Sequence, residues 1–160
     1  MKKLFLCAVL ALFALTNVNS QDYAIKANPL GLAFGIANVG FEFSTNESQT
    51  LTVSGLYYNI SDVTGLGAGA EYRFYFSKQD AFRGWHAGPS VGYFSLEDDF
   101  NNSAGFFSIG GEVGYQWIIR DHFLIDLFGG LGFVTGSSDD LAVSINSVAT
   151  TIGFSLGYAW

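Results

Sequence analysis

The residues able to do chemistry in this chain are few and regularly spaced. Lys26, Glu42, Glu71, Arg73, His86, Glu112, Gln116 and Asp126 each lie in a stretch that alternates bulky apolar residues with small or polar ones, and each falls at the small or polar parity. Successive side chains on a strand point to opposite faces, so that parity is one face of a sheet. If the sheet closes with this face inward, the eight polar groups are buried together, and buried charges persist only when paired or neutralised. The set is therefore expected to form an interior ion-pair network that fills the lumen. Arg73 is expected at its centre, between Thr52 and Gly88 on the flanking strands and within reach of Glu71, Glu42 or Glu112. Four acids against two bases leave a surplus that water or a proton must neutralise. The rival use of the same residues is a narrow path for ions or small apolar molecules, which eight strands leave little room for.

Hydrolysis needs a serine, a histidine and an acid in contact. His86 and Ser90 share a face, but four strand residues hold them roughly 13 Å apart, and Gln116 and Tyr75 are the expected neighbours of His86. His122 falls in a turn at the opposite end from the acidic loops. The glycines of Gly65–Gly69 and Gly129–Gly132 alternate as strand residues and open no helix, so they are not phosphate cradles. No catalytic residue, no cofactor-binding residue and no metal ligand is expected, and the chain is read as a non-enzyme. Glu97, Asp98 and Asp99, with Asp139 and Asp140, lack the alternate ligand spacing and central glycine of a calcium loop. They are read as solvated loops, open at most to an extracellular ligand.

The elements that must position these groups follow from alternation broken by turn signals. Segments are expected over Tyr23–Leu32, Ile36–Ser44, Gln49–Asn59, Gly65–Ser77, Gly84–Leu96, Ala104–Ile118, His122–Thr135 and Ser144–Trp160. Pro29 makes the upper part of the first uncertain as a strand, and Pro89, lacking an N–H, predicts a bulge in the fifth. The fold class is all-β: an eight-stranded antiparallel up-and-down transmembrane β-barrel. Its outward face is bulky on every strand, and Trp85, Trp117, Trp160, Tyr72 and Tyr158 gather near the rim that carries both ends, as an interfacial girdle would. A soluble, secreted ligand-binding barrel is the competing architecture; it would line its inside with large apolar residues and turn charges outward.

Composition points the same way. The 160 residues are 49% hydrophobic and 17% aromatic but only 13% charged, about half the charged share usual in a soluble domain. Outside Leu4–Leu15 no apolar run approaches the roughly 20 residues of a spanning helix, so the apolar surface needs a home in a closed barrel. Met1–Lys3, the apolar run and the small residues before Ser20 read as a secretion signal over residues 1–20, leaving residues 21–160 as the barrel domain. Cys7 lies inside that run, too early for a lipoprotein signal. Loss of Lys2 and Lys3 would take the seven basic residues to five against fourteen acidic ones, a balance that excludes nucleic acid as a partner.

Ile152, Phe154, Leu156, Tyr158 and Trp160 end the chain on alternating large apolar residues. With the signal segment and the eight strands, they resemble the small outer-membrane barrels of the OmpA/OmpX/OmpW kind. The opening Lys26–Leu32 resembles a variant found in Bacteroidota, in a barrel family of uncharacterised function. This resemblance implies a place in the outer membrane of a Gram-negative bacterium, with lipid and lipopolysaccharide around the wall. It also implies that the barrel-assembly machinery reads residues 152–160. Beyond a structural or surface-interaction role it implies no activity, because small barrels host pores, anchors and lipid-modifying enzymes alike.

Overall fold

The computed structural model describes residues 21–61, 63–77, 82–98, 103–138 and 143–160. The expected secretion signal, Asp62, Lys78, Asp99, Asp139 and Asp140 lie outside the described residues. Eight antiparallel strands close into a barrel in chain order. They are β1 (Tyr23–Ala27), β2 (Ile36–Asn46), β3 (Gln49–Ile60), β4 (Val63–Tyr75), β5 (Gly84–Asp98), β6 (Ser103–Ile119), β7 (Phe123–Ser138) and β8 (Val143–Ala159), with one short helix, α1 (Pro29–Ala33), between β1 and β2. Alternation fixes the faces: a one-residue slip would send every charge outward, so the register is strongly specified.

Four expectations are corrected. The first segment is a strand only to Ala27. Asn28 then caps α1, its side-chain oxygen accepting from the Gly31 N–H at 3.0 Å, and Pro29 occupies the first turn. An Asn followed by Pro is a helix start, because the side chain satisfies a free N–H and the proline needs none. Second, β3 and β4 join by a tight connection, Ile60 pairing with Val63, so Arg73 faces Thr50 and Glu71 faces Thr52. Third, Pro89 produces no bulge. Pairing of β4 with β5 lapses between Glu71 opposite Ser90 and Phe74 opposite Ala87, yet the register runs straight through. The strands pass closely there, for a Cβ at Gly88 would collide with the Tyr72 carbonyl. Fourth, β5 and β7 rise further than expected, to Asp98 and Ser138.

One seam is short. β1 pairs with β8 from Ala24 opposite Ala159 to Ala27 opposite Leu156, with Tyr23 and Trp160 exchanging backbone hydrogen bonds just beyond, whereas β7 and β8 pair from Phe123 opposite Tyr158 to Ser138 opposite Val143. At the end bearing both termini, β6 and β7 turn through Arg120, Asp121 and His122; the first two are left-handed and the His122 N–H donates to the Ile119 carbonyl, as in a type I′ turn.

Apolar side chains cover the outside and polar ones fill the inside. Exposed large residues occur all round the wall: Val39, Val53, Leu66, Val91, Ile109, Val113, Leu131 and Ile152 among them. Aromatic rings band the rim at the terminal end. Trp85 packs edge-on to Tyr115, which meets Trp117. Trp160 lies between Tyr23, Phe41 and Tyr158. Tyr72 donates its hydroxyl to Gln49 Oε1 at 2.6 Å. Among the described residues no helix is long and apolar enough to cross a membrane, which does not bear on strands.

Candidate functional site

Seven of the eight polar residues singled out by parity meet in the lumen, and the strands explain how. Lys26 comes from β1, Glu42 from β2, Glu71 and Arg73 from β4, His86 from β5, Gln116 from β6 and Asp126 from β7. All seven retain under a tenth of their surface, and Glu42, His86, Gln116 and Asp126 retain none. Arg73 Nη1 lies 2.7 Å from Asp126 Oδ2, and its Nη2 lies 2.6 Å from Glu71 Oε2. Lys26 Nζ meets Glu42 Oε2 at 2.6 Å and Asp126 Oδ2 at 3.4 Å. Gln116 Oε1 accepts from Arg73 Nη1 at 3.3 Å. Asp126 thus ties both cations together across the lumen.

Two partner assignments differ from expectation. Arg73 reaches Glu71 and, at 3.8 Å, Glu42, but its shortest link outside its own strand is to Asp126 and not to Glu112. Glu112 takes part in no ion pair among the described residues and instead faces a cavity above the cluster. His86 has the Tyr75 ring beside it, centroids 5.3 Å apart, as expected, but its hydrogen-bond partner is Asp126, Nε2 to Oδ1 at 3.0 Å. Ser90 lines the cavity. An Asp–His pair can orient an imidazole as a base, yet here the free ring nitrogen, Nδ1, is buried with no partner. The pair is part of the charge network that joins Lys26 and Arg73. His122 lies at the terminal rim, its Nδ1 3.0 Å from the Ala159 carbonyl and its ring stacked on Tyr158.

Two contributors, Thr50 and Phe82, were not singled out from the sequence, and a third, Tyr75, was expected only beside His86. Thr50 Oγ1 donates to Glu42 Oε1 at 2.5 Å and Tyr75 Oη donates to the same oxygen at 2.8 Å, completing the coordination of a fully buried carboxylate. Tyr75 shares the parity of Glu71 and Arg73, and Thr50 lies on the polar parity of β3 opposite Arg73, so alternation carried the signal. Phe82 carried none. It follows β4 in a turn, adopts φ +80, and is fully buried at the terminal end of the lumen with Ala24, Leu124 and Ala159. Its carbonyl accepts from Gln116 Nε2 at 2.9 Å, tying the apolar stopper to the ion cluster above it.

Above the cluster the lumen opens into a cavity of about 420 Å³ between β2, β3, β4, β5, β6 and β8. Phe128 reaches into it from β7, its ring 5.9 Å from the Arg73 guanidinium carbon, and Gly153 on β8 leaves the space that ring occupies. Glu97 ends exposed near the top of β5. Among the described residues no three potential ligands gather to hold a metal ion.

No curated protein matches the chain. A family match does span it, covering residues 5–153, and with it the strands that carry every charge in the lumen. The chain belongs to that family, DUF3575, described as proteins of unknown function.

Proposed function

We propose that this protein is a plugged outer-membrane barrel, serving as a structural element or interaction surface rather than as a catalyst. The observation that carries this is the inversion of polarity. Large apolar side chains are exposed around the whole wall while the ion pairs of Lys26, Arg73 and His86 are internal. A soluble barrel so built would leave a continuous apolar belt in water, far beyond the patch a monomer tolerates. In lipid the same belt is the expected outward band, and the rim of Trp85, Trp117, Trp160, Tyr72 and Tyr158 falls where an aromatic girdle belongs. The ladder also closes in chain order, so backbone edge is left only along the short β1–β8 seam. The resemblance to OmpA/OmpX/OmpW-like barrels supports the same location, and so does the expected secretion signal over residues 1–20.

The lumen supports the plugged half of the reading. Ion cluster and Phe82 stopper occupy the cross-section at the terminal end, and an eight-stranded barrel has space for little else. The reading is tested by fractionation and heat-modifiable migration of the membrane-extracted protein, with bilayer conductance measured on the same sample. Outer-membrane recovery, a heat-dependent shift and no steady conductance are expected. A soluble periplasmic pool without a heat shift refutes the membrane assignment; regular single-channel steps refute the plug.

A further inference from the structure

The cavity above the ion cluster is not chemically neutral. Its charged lining residues are Lys26, Arg73, Glu71 and Glu112. Both cations are already engaged below by Glu42 and Asp126. The acceptors are not all engaged. Arg73 directs both Nε and Nη2 to Glu71 Oε2, at 2.7 and 2.6 Å. That leaves Glu71 Oε1 buried without a partner, and Thr52 Oγ1 is buried and unpartnered as well. These two side chains are 8% and 7% exposed, and both line the cavity. They form one cross-strand row, Thr52 opposite Glu71 and Glu71 opposite Ser90, with Glu112 opposite Gly88 on the next strand.

A buried carboxylate oxygen without a donor is costly, and its cost falls away when a charged donor arrives. The row therefore suits a ligand that brings positive charge and N–H groups. The Phe128 ring in the cavity wall adds an aromatic surface of the kind that attracts cations. The absence of a third ligating side chain in the described residues favours an organic cation over a metal ion. The volume is within the range of small-molecule sites.

We propose that the half-lumen above the plug binds a small organic cation, a primary ammonium or guanidinium, through Glu71, Glu112 and Thr52. This rests on the lumen being closed below, as in the reading above, and makes the barrel a blind receptor cup. The full-length protein, folded in zwitterionic detergent and carrying its heat-modifiable band, is titrated calorimetrically with n-butylammonium, guanidinium, butyrate and Mg²⁺. Saturable binding of the two cations and none of butyrate is expected. Glu112→Gln, which lies outside the ion pairs, should weaken n-butylammonium at least about tenfold, and Thr52→Val a few-fold. Butyrate binding as well as the amine overturns the proposal. So does Mg²⁺ displacing the amine, or wild-type affinity in both variants. A retained heat-modifiable band without saturable binding overturns the cup and leaves the barrel reading standing.

Discussion

Arg73→Ala is the substitution on which the plug stands or falls. Arg73 is 3% exposed and bonds Glu71 and Asp126 on different strands. Removing it affects the two carboxylates unequally. Asp126 keeps Lys26 at 3.4 Å and His86 at 3.0 Å. Glu71 keeps nothing, since its Oε1 already lacks a partner and Oε2 bonds only Arg73. Breaking a buried pair from one side costs about 3–5 kcal/mol, because a charge is left uncompensated in a poor solvent. At roughly 2–4 °C per kcal/mol for a chain of this size, the unfolding midpoint should fall by about 6–20 °C. The assay is heat-modifiable migration, or circular dichroism, of the barrel in detergent as a function of temperature. Adding Glu71→Gln to Arg73→Ala removes the stranded charge and should recover part of the loss. A midpoint within about 2 °C of the wild type, or a double variant no better than the single, refutes the account of the lumen as a mutually dependent ion network.

Other outcomes follow from the same geometry. Phe82→Ala deletes the largest side chain of the terminal stopper; it should cost about 3–5 kcal/mol of stability and raise the entry of small solutes into protein-containing liposomes, measured by swelling. Val113→Arg places a charge on the exposed apolar wall. In a bilayer it should destabilise the barrel in lipid vesicles, by up to about 2–4 kcal/mol, whereas the same change on a solvated surface would be nearly neutral. Gly153→Val would collide with the Phe128 ring, so it should lower the melting midpoint, and Phe128→Ala in the same chain should restore much of it.

Alternation made the strands and their faces legible, because a period of two needs only local sequence. It placed Lys26, Glu42, Arg73, His86, Gln116 and Asp126 inside before any pairing was known. Which of them touch depends on register and on reach across the lumen, and neither is local. A connection tightened to join Ile60 to Val63 moved Arg73 from Thr52 to Thr50. The bond from Arg73 to Asp126 joins strands that are not neighbours, so no hairpin arithmetic finds it. Glu112 has the right parity, but it lines the cavity and joins no ion pair among the described residues. Phe82 was invisible for a different reason: a turn has no period, and its inward direction comes from one left-handed residue. The Asn28–Pro29 helix start was written in the sequence, masked by the strand pattern before it.

The short β1–β8 seam has a kinetic meaning. Every other ladder joins strands adjacent in the chain and can zip from its own turn. Only this one must bring Ala24 to Ala159, from one end of the described chain to the other. Closing so long a loop costs the most entropy and is rewarded by the fewest bonds. The ring should therefore be completed last, by docking a five-residue strand onto an otherwise finished sheet. It should also open there first, so among the ladder-paired amides of the barrel wall those at Ala24–Ala27 and Leu156–Ala159 should exchange fastest.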